Sequence, residues 1–398
     1  KPIKEVKEYW HTLGPGLTTG AADDDPSGIA TYSQIGASRG FGLIWLSLFT
    51  FPLVSVVQEM CARIGLSTGV GLATNIRRHF SKKILYFTTI LLLFANVFNI
   101  GADLGAMAKS TQLVFPQINF SFLVIIFALL SLGLQIFIPY KKYAKYLKYL
   151  GLVLLVYVLS AFLIEINWSD LFRHLVIPSF SFSKEEIILV CAALGTTISP
   201  YLFFWQTSQE VEDQIMKGEI TEKARRTLNT SEDIKKMRTD VWSGMLFSNL
   251  IMFFIIATTA ATLYANGITD IDTASDAALA LRPFAGDFAF FLFAIGIVGV
   301  GLLAIPVLAG SASYAISETF NWKEGLNRKF KQASAFYGVI ILAMALGILL
   351  NFVGLDPIKT LIYSAVFNGI ISPIMLFFIV SISSREKIMG EFKNKKFT

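Results

Sequence analysis

The chain has 398 residues, of which 54% are hydrophobic, 14% aromatic and 16% charged, with a formal net charge of +6. Soluble proteins carry about 25% charged residues. Together with a mean hydropathy of +0.60, the shortfall excludes a disordered chain, a secreted disulfide scaffold and most soluble enzymes. The apolar residues fall in blocks of about 18 or more, the length that crosses roughly 30 Å of hydrocarbon. The composition is that of an all-α polytopic membrane protein in contact with a lipid bilayer.

In chain order the hydropathy predicts ten spans, at about 13–36, 41–62, 84–108, 119–139, 149–166, 187–206, 241–265, 284–318, 335–351 and 359–381. Of the 34 Lys and Arg residues, 28 lie in the N-terminus, the C-terminus and the loops after spans 2, 4, 6 and 8, all on one side. The opposite loops hold Arg39, Arg173, Lys184, Arg282 and Lys359, and Lys109 ends span 3. Basic loops stay in the cytoplasm, which predicts a multi-pass plasma-membrane protein with both termini inside. The positive charge is then a topology signal, and no nucleic-acid partner is expected. The loop between spans 7 and 8 carries Asp270, Asp272 and Asp276, as an outer loop can.

Residues 1–398 are expected to form one membrane domain, with a first repeat at about 13–166, a second at about 187–381, and a cytoplasmic connector at 207–240 built of short amphipathic helices. The first apolar block contains three aspartates and lacks a small-residue cleavage site, unlike a signal peptide. Cys61 and Cys191 show neither CxxC nor metal-type spacing and are expected to be structural thiols.

Two spans contain what a continuous membrane helix avoids. Span 1 carries Asp23, Asp24, Asp25, Pro26, Ser27 and Gly28 near its middle, and span 6 carries Gly195, Thr196, Thr197, Ser199, Pro200 and Tyr201. Proline removes an amide donor and clashes with the preceding turn, and each unsatisfied backbone group in lipid costs several kcal/mol. Spans 1 and 6 each open one half of the chain, the arrangement of a transporter built from inverted repeats with substrate at the midplane between broken helices. Proline kinks alone would leave the acids unexplained. An Asp at a helix centre costs about 2.5–3.5 kcal/mol, so three charged aspartates facing lipid would sum to roughly 8–10 kcal/mol. A cation from outside the chain is the economical partner, with at least one of the three acids a bystander.

At these residues the chain resembles the NRAMP divalent-metal transporters. Gly14-Pro15-Gly16 followed by Asp25-Pro26-Ser27-Gly28 is similar to the family's GPG and Asp-Pro-Gly-Asn. The run from Gln58 to Gly69, with Ala62-Arg63-Ile64-Gly65 and Thr68-Gly69, resembles the motif after its second span. Asp103-Leu104 resembles the Asp-Leu of its third span, Gly195 to Tyr201 resembles Gly-Ala-Thr-x-Met-Pro-His, and Asp240 and Asn249 match polar positions of its seventh. The resemblance implies a LeuT-type fold of ten transmembrane helices, as 5+5 inverted repeats with helices 1 and 6 broken.

The departures imply the cargo. The family's iron and manganese carriers bind metal through Asp and Asn of helix 1 and a Met thioether and Ala carbonyl of helix 6. Here Asp25 remains, but Gly28 stands at the Asn position, Ser199 at the Met, Thr196 at the Ala, and Ala365 at a span-10 Gln. This pattern is similar to the NRAMP-related magnesium transporters. Thioethers prefer softer metals, whereas carboxylate, carbonyl and water suit Mg²⁺, Ca²⁺ and Mn²⁺, and Mg²⁺ usually keeps several waters. The resemblance implies Asp25 as principal ligand, aided by Asp24 directly or through water. The Ala22 and Thr196 carbonyls would face the ion, and Ser199 and Tyr201 would bond its waters; helix packing is the alternative role for these last two. The metal is cargo; no resident cofactor is expected, and a monomer is.

Proton coupling in the family involves a helix-6 His and a span-3 acid pair. Here Tyr201 and Gln206 replace histidines and Ala106 replaces the span-3 Glu, while Asp103 remains either a relay or a structural hydrogen-bonder. Tyrosine titrates near pH 10, which points to uncoupled uptake. Membrane potential supplies about 4.6 kcal/mol for a divalent ion at 100 mV, from roughly 2.3 per charge. The competing readings are a proton-coupled Mn²⁺/Fe²⁺ symporter, a cation channel, an Na⁺/amino-acid symporter and an intramembrane aspartyl enzyme.

Overall fold

A computed structural model describes residues 13–138, 154–228, 230–271, 274–282 and 286–395, and among these there is helix and turn but no strand. The helices are α1 Pro15–Asp23, α2 Pro26–Arg39, α3 Trp45–Thr68, α4 Leu72–His79, α5 Lys82–Val114, α6 Phe120–Phe137, α7 Leu155–Leu163, α8 Trp168–Val176 and α9 Lys184–Thr197. They continue with α10 Pro200–Met216, α11 Glu222–Thr227, α12 Ser231–Thr262, α13 Ala274–Leu279, α14 Ala289–Phe320, α15 Ser334–Leu350, α16 Pro357–Ser383 and α17 Glu386–Met389.

The long helices fall on predicted spans, whereas α4, α8, α11, α13 and α17 lie between or after them. Among the described residues seven segments are long and apolar enough to cross a membrane: α3, α5, α6, α9 with α10, α12 through Asn266, α14 and α16. Helix α15 has 17 residues, and α1 and α2 divide the first span between them. The N-terminal residues 1–12, the basic run Lys141, Lys142, Lys145 and Lys148, the start of the fifth span and Asp272 lie outside the described residues.

The outside of the bundle is apolar and its inside holds polar groups. Phe87, Ile90, Phe94, Leu129, Phe162, Leu163 and Phe377 are exposed, whereas Asp23, Asp24, Asp25, Asn99, Asp103, Gln206 and Gln209 are buried. A water-soluble protein does not expose so much contiguous apolar surface; a bilayer covers it.

The polar stretch 207–240 differs from expectation. Most of it continues α10 to Met216 and opens α12 at Ser231, leaving only α11, of six residues, as a separate short helix. Gln209, Glu210, Glu212 and Gln214 are buried along α10, so hydropathy ends this helix where its backbone does not.

Two packing contacts hold the interrupted spans. Helix α1 lies on α12 with Gly20 against the Gly244 backbone, where any side chain would collide. Its N-terminus, which exposes unpaired amides, is capped from α12: the Asp240 carboxylate accepts from Gly14 N and Gly16 N at 2.7 Å and Leu17 N at 3.1 Å. Helix α9 lies equally close on α16 through Gly195 and Gly369.

Candidate functional site

The first interruption is two residues long. Asp24 leaves the helix (φ −86°, ψ 51°), and Asp25 is extended and N-caps α2, with Pro26 in the first helical position. Aspartate at the cap and proline after it are what a helix start prefers. The Asp25 Oδ1 accepts from Gly28 N at 2.8 Å and from Ser27 Oγ at 2.6 Å.

The second interruption has the same backbone plan with neutral chemistry. Ile198 leaves α9 (φ −109°, ψ 57°), Ser199 is extended, and Pro200 opens α10. The Ser199 hydroxyl does not cap α10. It points back, its hydrogen shared between the Gly195 and Thr196 carbonyls at 2.7 Å each, and so serves oxygens that α9 leaves open at its end.

The two interruptions meet. The Tyr201 hydroxyl donates to the Ala22 carbonyl at 2.9 Å, Ser27 Oγ stands 3.4 Å from Thr196 Oγ1, and Tyr32 OH stands 3.0 Å from Thr197 Oγ1. A Cβ on Gly28 would lie 3.1 Å from Thr196 Oγ1, so glycine at that position lets α2 rest against the end of α9. Ala22, Asp24, Asp25, Gly28, Thr196, Ser199 and Tyr201 are all buried.

The acids separate into two pairs. Asn99 on α5 donates its amide to Asp25 Oδ2 at 2.9 Å and to Asp103 Oδ2 at 3.1 Å. The Asn99 oxygen accepts from Ser364 Oγ at 2.5 Å and Asn368 Nδ2 at 3.4 Å. On the other side Ser248 stands 2.6 Å from Asp23 Oδ2 and 3.3 Å from Asp24 Oδ1. Asp23 Oδ1, Asp24 Oδ2, Asp103 Oδ1 and Asn368 Oδ1 are buried with no hydrogen-bond partner. Among the described residues no Lys, Arg or His pairs with any of the four aspartates. Buried carboxylates without a cationic partner need protons or a cation.

Of the residues expected at the site, Asp25, Ala22, Gly28, Thr196, Ser199 and Tyr201 line one seam, and Asp24 turns toward Ser248. The carbonyls of Ala22 and Thr196 each hold one side-chain hydrogen bond, and a carbonyl oxygen has two lone pairs, so each can still face an ion or its water. Every group along the seam is an oxygen or an amide, with no thioether or imidazole. Among the described residues no three His, Cys, Asp or Glu side chains converge as a closed metal cage. The geometry suits an ion held by one or two carboxylates, carbonyls and water.

Asp240 and Asn249, also singled out in the sequence, do structural work. Asp240 caps α1, and Asn249 accepts from Thr50 Oγ1 at 2.7 Å. The sequence reading missed Asn99, Ser248, Ser364, Asn368, Tyr32 and Thr197. A signal existed for three of these: Asn99 pairs with Asp103, and Ser364 with Asn368, at i,i+4, one helix face each, and polar groups inside membrane helices are functional by default.

The family model described as natural resistance-associated macrophage protein-like (Nramp) matches residues 16–398. The divalent metal cation transporter MntH of Caldanaerobacter subterraneus subsp. tengcongensis is 26% identical, over 98% of this chain and 88% of that protein. MntH of Erwinia tasmaniensis is 24% identical, over 96% and 88%. Among solved structures, the Eremococcus coleocola manganese transporter bound to an aromatic bis-isothiourea compound superposes with a TM-score of 0.75 at 18% identity, covering 98% of this chain and 83% of that one. Mhp1, a nucleobase-cation-symport-1 family transporter in a closed conformation, superposes with a TM-score of 0.56 at 14% identity, covering 95% and 81%. The LeuT-type helical fold of this chain is shared with these two structures.

Proposed function

This chain belongs to the Nramp family, and from that membership we propose that it carries divalent metal ions across the plasma membrane, importing partly hydrated Mg²⁺, and Mn²⁺ with it, by alternating access without proton coupling. The MntH relatives and the manganese transporter support divalent metal as the cargo class. The observation that carries the finer reading is the seam itself. A buried carboxylate, Asp25, and two carbonyls face across two helix breaks, while the second break offers Ser199 and Tyr201 where the family resemblance places a thioether and an imidazole. Hard oxygen ligands favour Mg²⁺ and Mn²⁺ over softer ions, and Mg²⁺ keeps part of its water. Asp25 is the principal ligand in this assignment, with Asp24 Oδ2 next. The inward loops and both termini are assigned to the cytoplasm by their basic residues.

A proton-coupled Mn²⁺/Fe²⁺ symporter is the second reading, favoured by one observation: Asn99 joins Asp103 to Asp25, a short polar path on which a proton released by the incoming metal could travel. Proteoliposomes decide between them. With a negative-inside potential and a pH-sensitive dye in the lumen, Mg²⁺ influx should leave internal pH unchanged. Metal-dependent acidification would establish the symporter instead, and the absence of Mg²⁺ influx beside robust Mn²⁺ influx would remove the magnesium assignment.

A further inference from the structure

The arginines on the face assigned to the cytoplasm divide by whether the protein gives them an acceptor. Arg63 donates to Asn394 Oδ1 and Arg77 to Asn321 Oδ1. Arg78 holds both Glu222 oxygens at 2.6 and 2.9 Å. Arg225 donates to Gly69 O, Arg238 to Glu59 Oε1 and Arg328 to Glu324 O, each at 2.8 Å. Arg226 and Arg385 stand apart: among the described residues their guanidinium groups have neither a hydrogen bond nor an ion pair.

These two come from distant parts of the chain and meet at one histidine. Arg226 lies in α11, Arg385 just after α16, and His79 ends α4. Burial, and then the charges of Arg385, Arg78 and Arg226, hold the His79 imidazole below its usual range. Lys82 and Lys83 open α5 directly after it, and both lysines, both arginines and His79 are exposed. The Arg385 guanidinium lies over the Phe80 ring, 5.0 Å from its centroid. Stacking fixes the group without using its N–H donors. Two acids border the patch and both are engaged. Glu222, whose charge also reaches Arg226, is taken by Arg78, and Glu386 by Lys393 at 2.5 Å.

The patch stands at the end of an apolar furrow. Phe80 meets Phe378 of α16 edge to face at 5.1 Å, and Phe94 of α5 meets Phe367 of α16 at 5.5 Å, so α5 and α16 run side by side away from the basic groups. Between those two contacts Phe87, Ile90 and Phe377 are exposed. A soluble anion gains nothing from apolar surface next to its charges. A phospholipid presents a phosphate at the helix ends and acyl chains along the helices.

We propose that Arg226 and Arg385, with Lys82 and Lys83 beside them, form a headgroup site for an anionic phospholipid, its phosphate bonded by the two guanidinium groups and its acyl chains laid along α5 and α16. The planar fork of arginine gives a phosphate two parallel N–H bonds, and basic pockets between transmembrane helices on the cytoplasmic side bind such headgroups. The lipid ties α11, which follows the helix restarted at the second break, to α4, α5 and α16. Helices α5 and α16 carry Asn99, Ser364 and Asn368, so the site joins the ends of helices that support the seam. It rests on the membrane setting of the bundle and not on which ion the chain carries.

Native mass spectrometry of the full chain, released from nanodiscs of equal phosphatidylglycerol and phosphatidylcholine, tests the site. The wild-type chain should retain phosphatidylglycerol in preference to phosphatidylcholine. Arg226→Gln/Arg385→Gln, at two exposed side chains, should lower that retention by at least about tenfold. Lys235→Gln/Lys236→Gln takes the same charge from α12, which packs on α1, α2, α3 and α7, and should retain the lipid as the wild type does. Unchanged retention in the arginine variant overturns the proposal. An equal loss in the lysine variant also overturns it, because the effect would then be the general attraction of a basic surface for anionic lipid. Inorganic phosphate separates a headgroup from a free anion: at millimolar concentration it should leave the retained phosphatidylglycerol in place. Displacement of the lipid by phosphate would make the patch a soluble-anion site and end the lipid assignment.

Discussion

The two helix breaks share a backbone plan and differ in where their hydrogen bonds go. Each is two residues long, ends one helix in an irregular conformation and restarts the next with an extended residue before proline. The first break is acidic and its partners lie elsewhere: Asp25 reaches Asn99 on α5, and Asp23 and Asp24 share Ser248 on α12. The second is neutral and closes largely on itself, with Ser199 and Thr197 bonded to carbonyls of the preceding turn and Ser372 covering Ile198 O at 2.5 Å. A carboxylate cannot be satisfied by the carbonyl-rich end of its own helix, because both are acceptors, so charge in a break forces contacts with distant helices. A hydroxyl can donate locally. Under the transport reading proposed above, affinity for the ion falls to the first break and discrimination among ions to the second.

Breaking the first arm should have the largest effect. Asp25→Ala removes the one acid that faces the second break and the cap of α2 together; Mg²⁺ and Mn²⁺ uptake into proteoliposomes should fall to the protein-free background. Flux that survives would return both arms to equal standing. Asn99→Ala tests the next step outward. It keeps Asp25 but removes the amide that orients it, and loss of such a supporting partner typically costs about 10–100-fold in metal affinity or activity. Initial rates of Mn²⁺ uptake over a range of concentrations should show the apparent affinity falling by that factor, with transport restored at high metal; wild-type affinity would mean that Asn99 only packs.

The breaks were legible because they are written in local chemistry. Asp25-Pro26 and Ser199-Pro200 are helix starts inside apolar segments, and a proline cannot be absorbed there without consequence. The partners of the acids were not legible in the same way. Ser248 stands more than two hundred positions from Asp24, and hydropathy carries no information on which helix faces which. The i,i+4 pairing of Asn99 with Asp103, which the sequence reading passed over, marks a polar face but carries nothing about what that face meets. Residues 207–216 misled for a different reason. Their Glu, Gln and Asp side chains read as the start of a connector of short amphipathic helices, yet glutamate and glutamine are good helix formers, and the tertiary structure continues α10 through them and buries several, Glu212 among them.

Ser199→Met is the smallest change and the sharpest test of the division between the arms. The serine hydroxyl shares one hydrogen between two carbonyls; removing a neutral hydrogen bond of this kind costs about 0.5–1.5 kcal/mol, so Mg²⁺ uptake should fall by no more than roughly tenfold, the factor that 1.4 kcal/mol represents. The same substitution places a polarisable thioether at the mouth of the Thr196 carbonyl, opposite Ser27 and Asp25, and thioethers favour softer metals. Cd²⁺ should then compete with Mn²⁺ more strongly than in the wild-type chain, in the same vesicles and at the same potential, while Asp25→Ala in that background should abolish uptake of every ion alike. If Ser199→Met left the Cd²⁺-to-Mn²⁺ preference where it was, discrimination would have to reside in the acids of the first break. The seam would then be one ligand set rather than two arms with separate tasks.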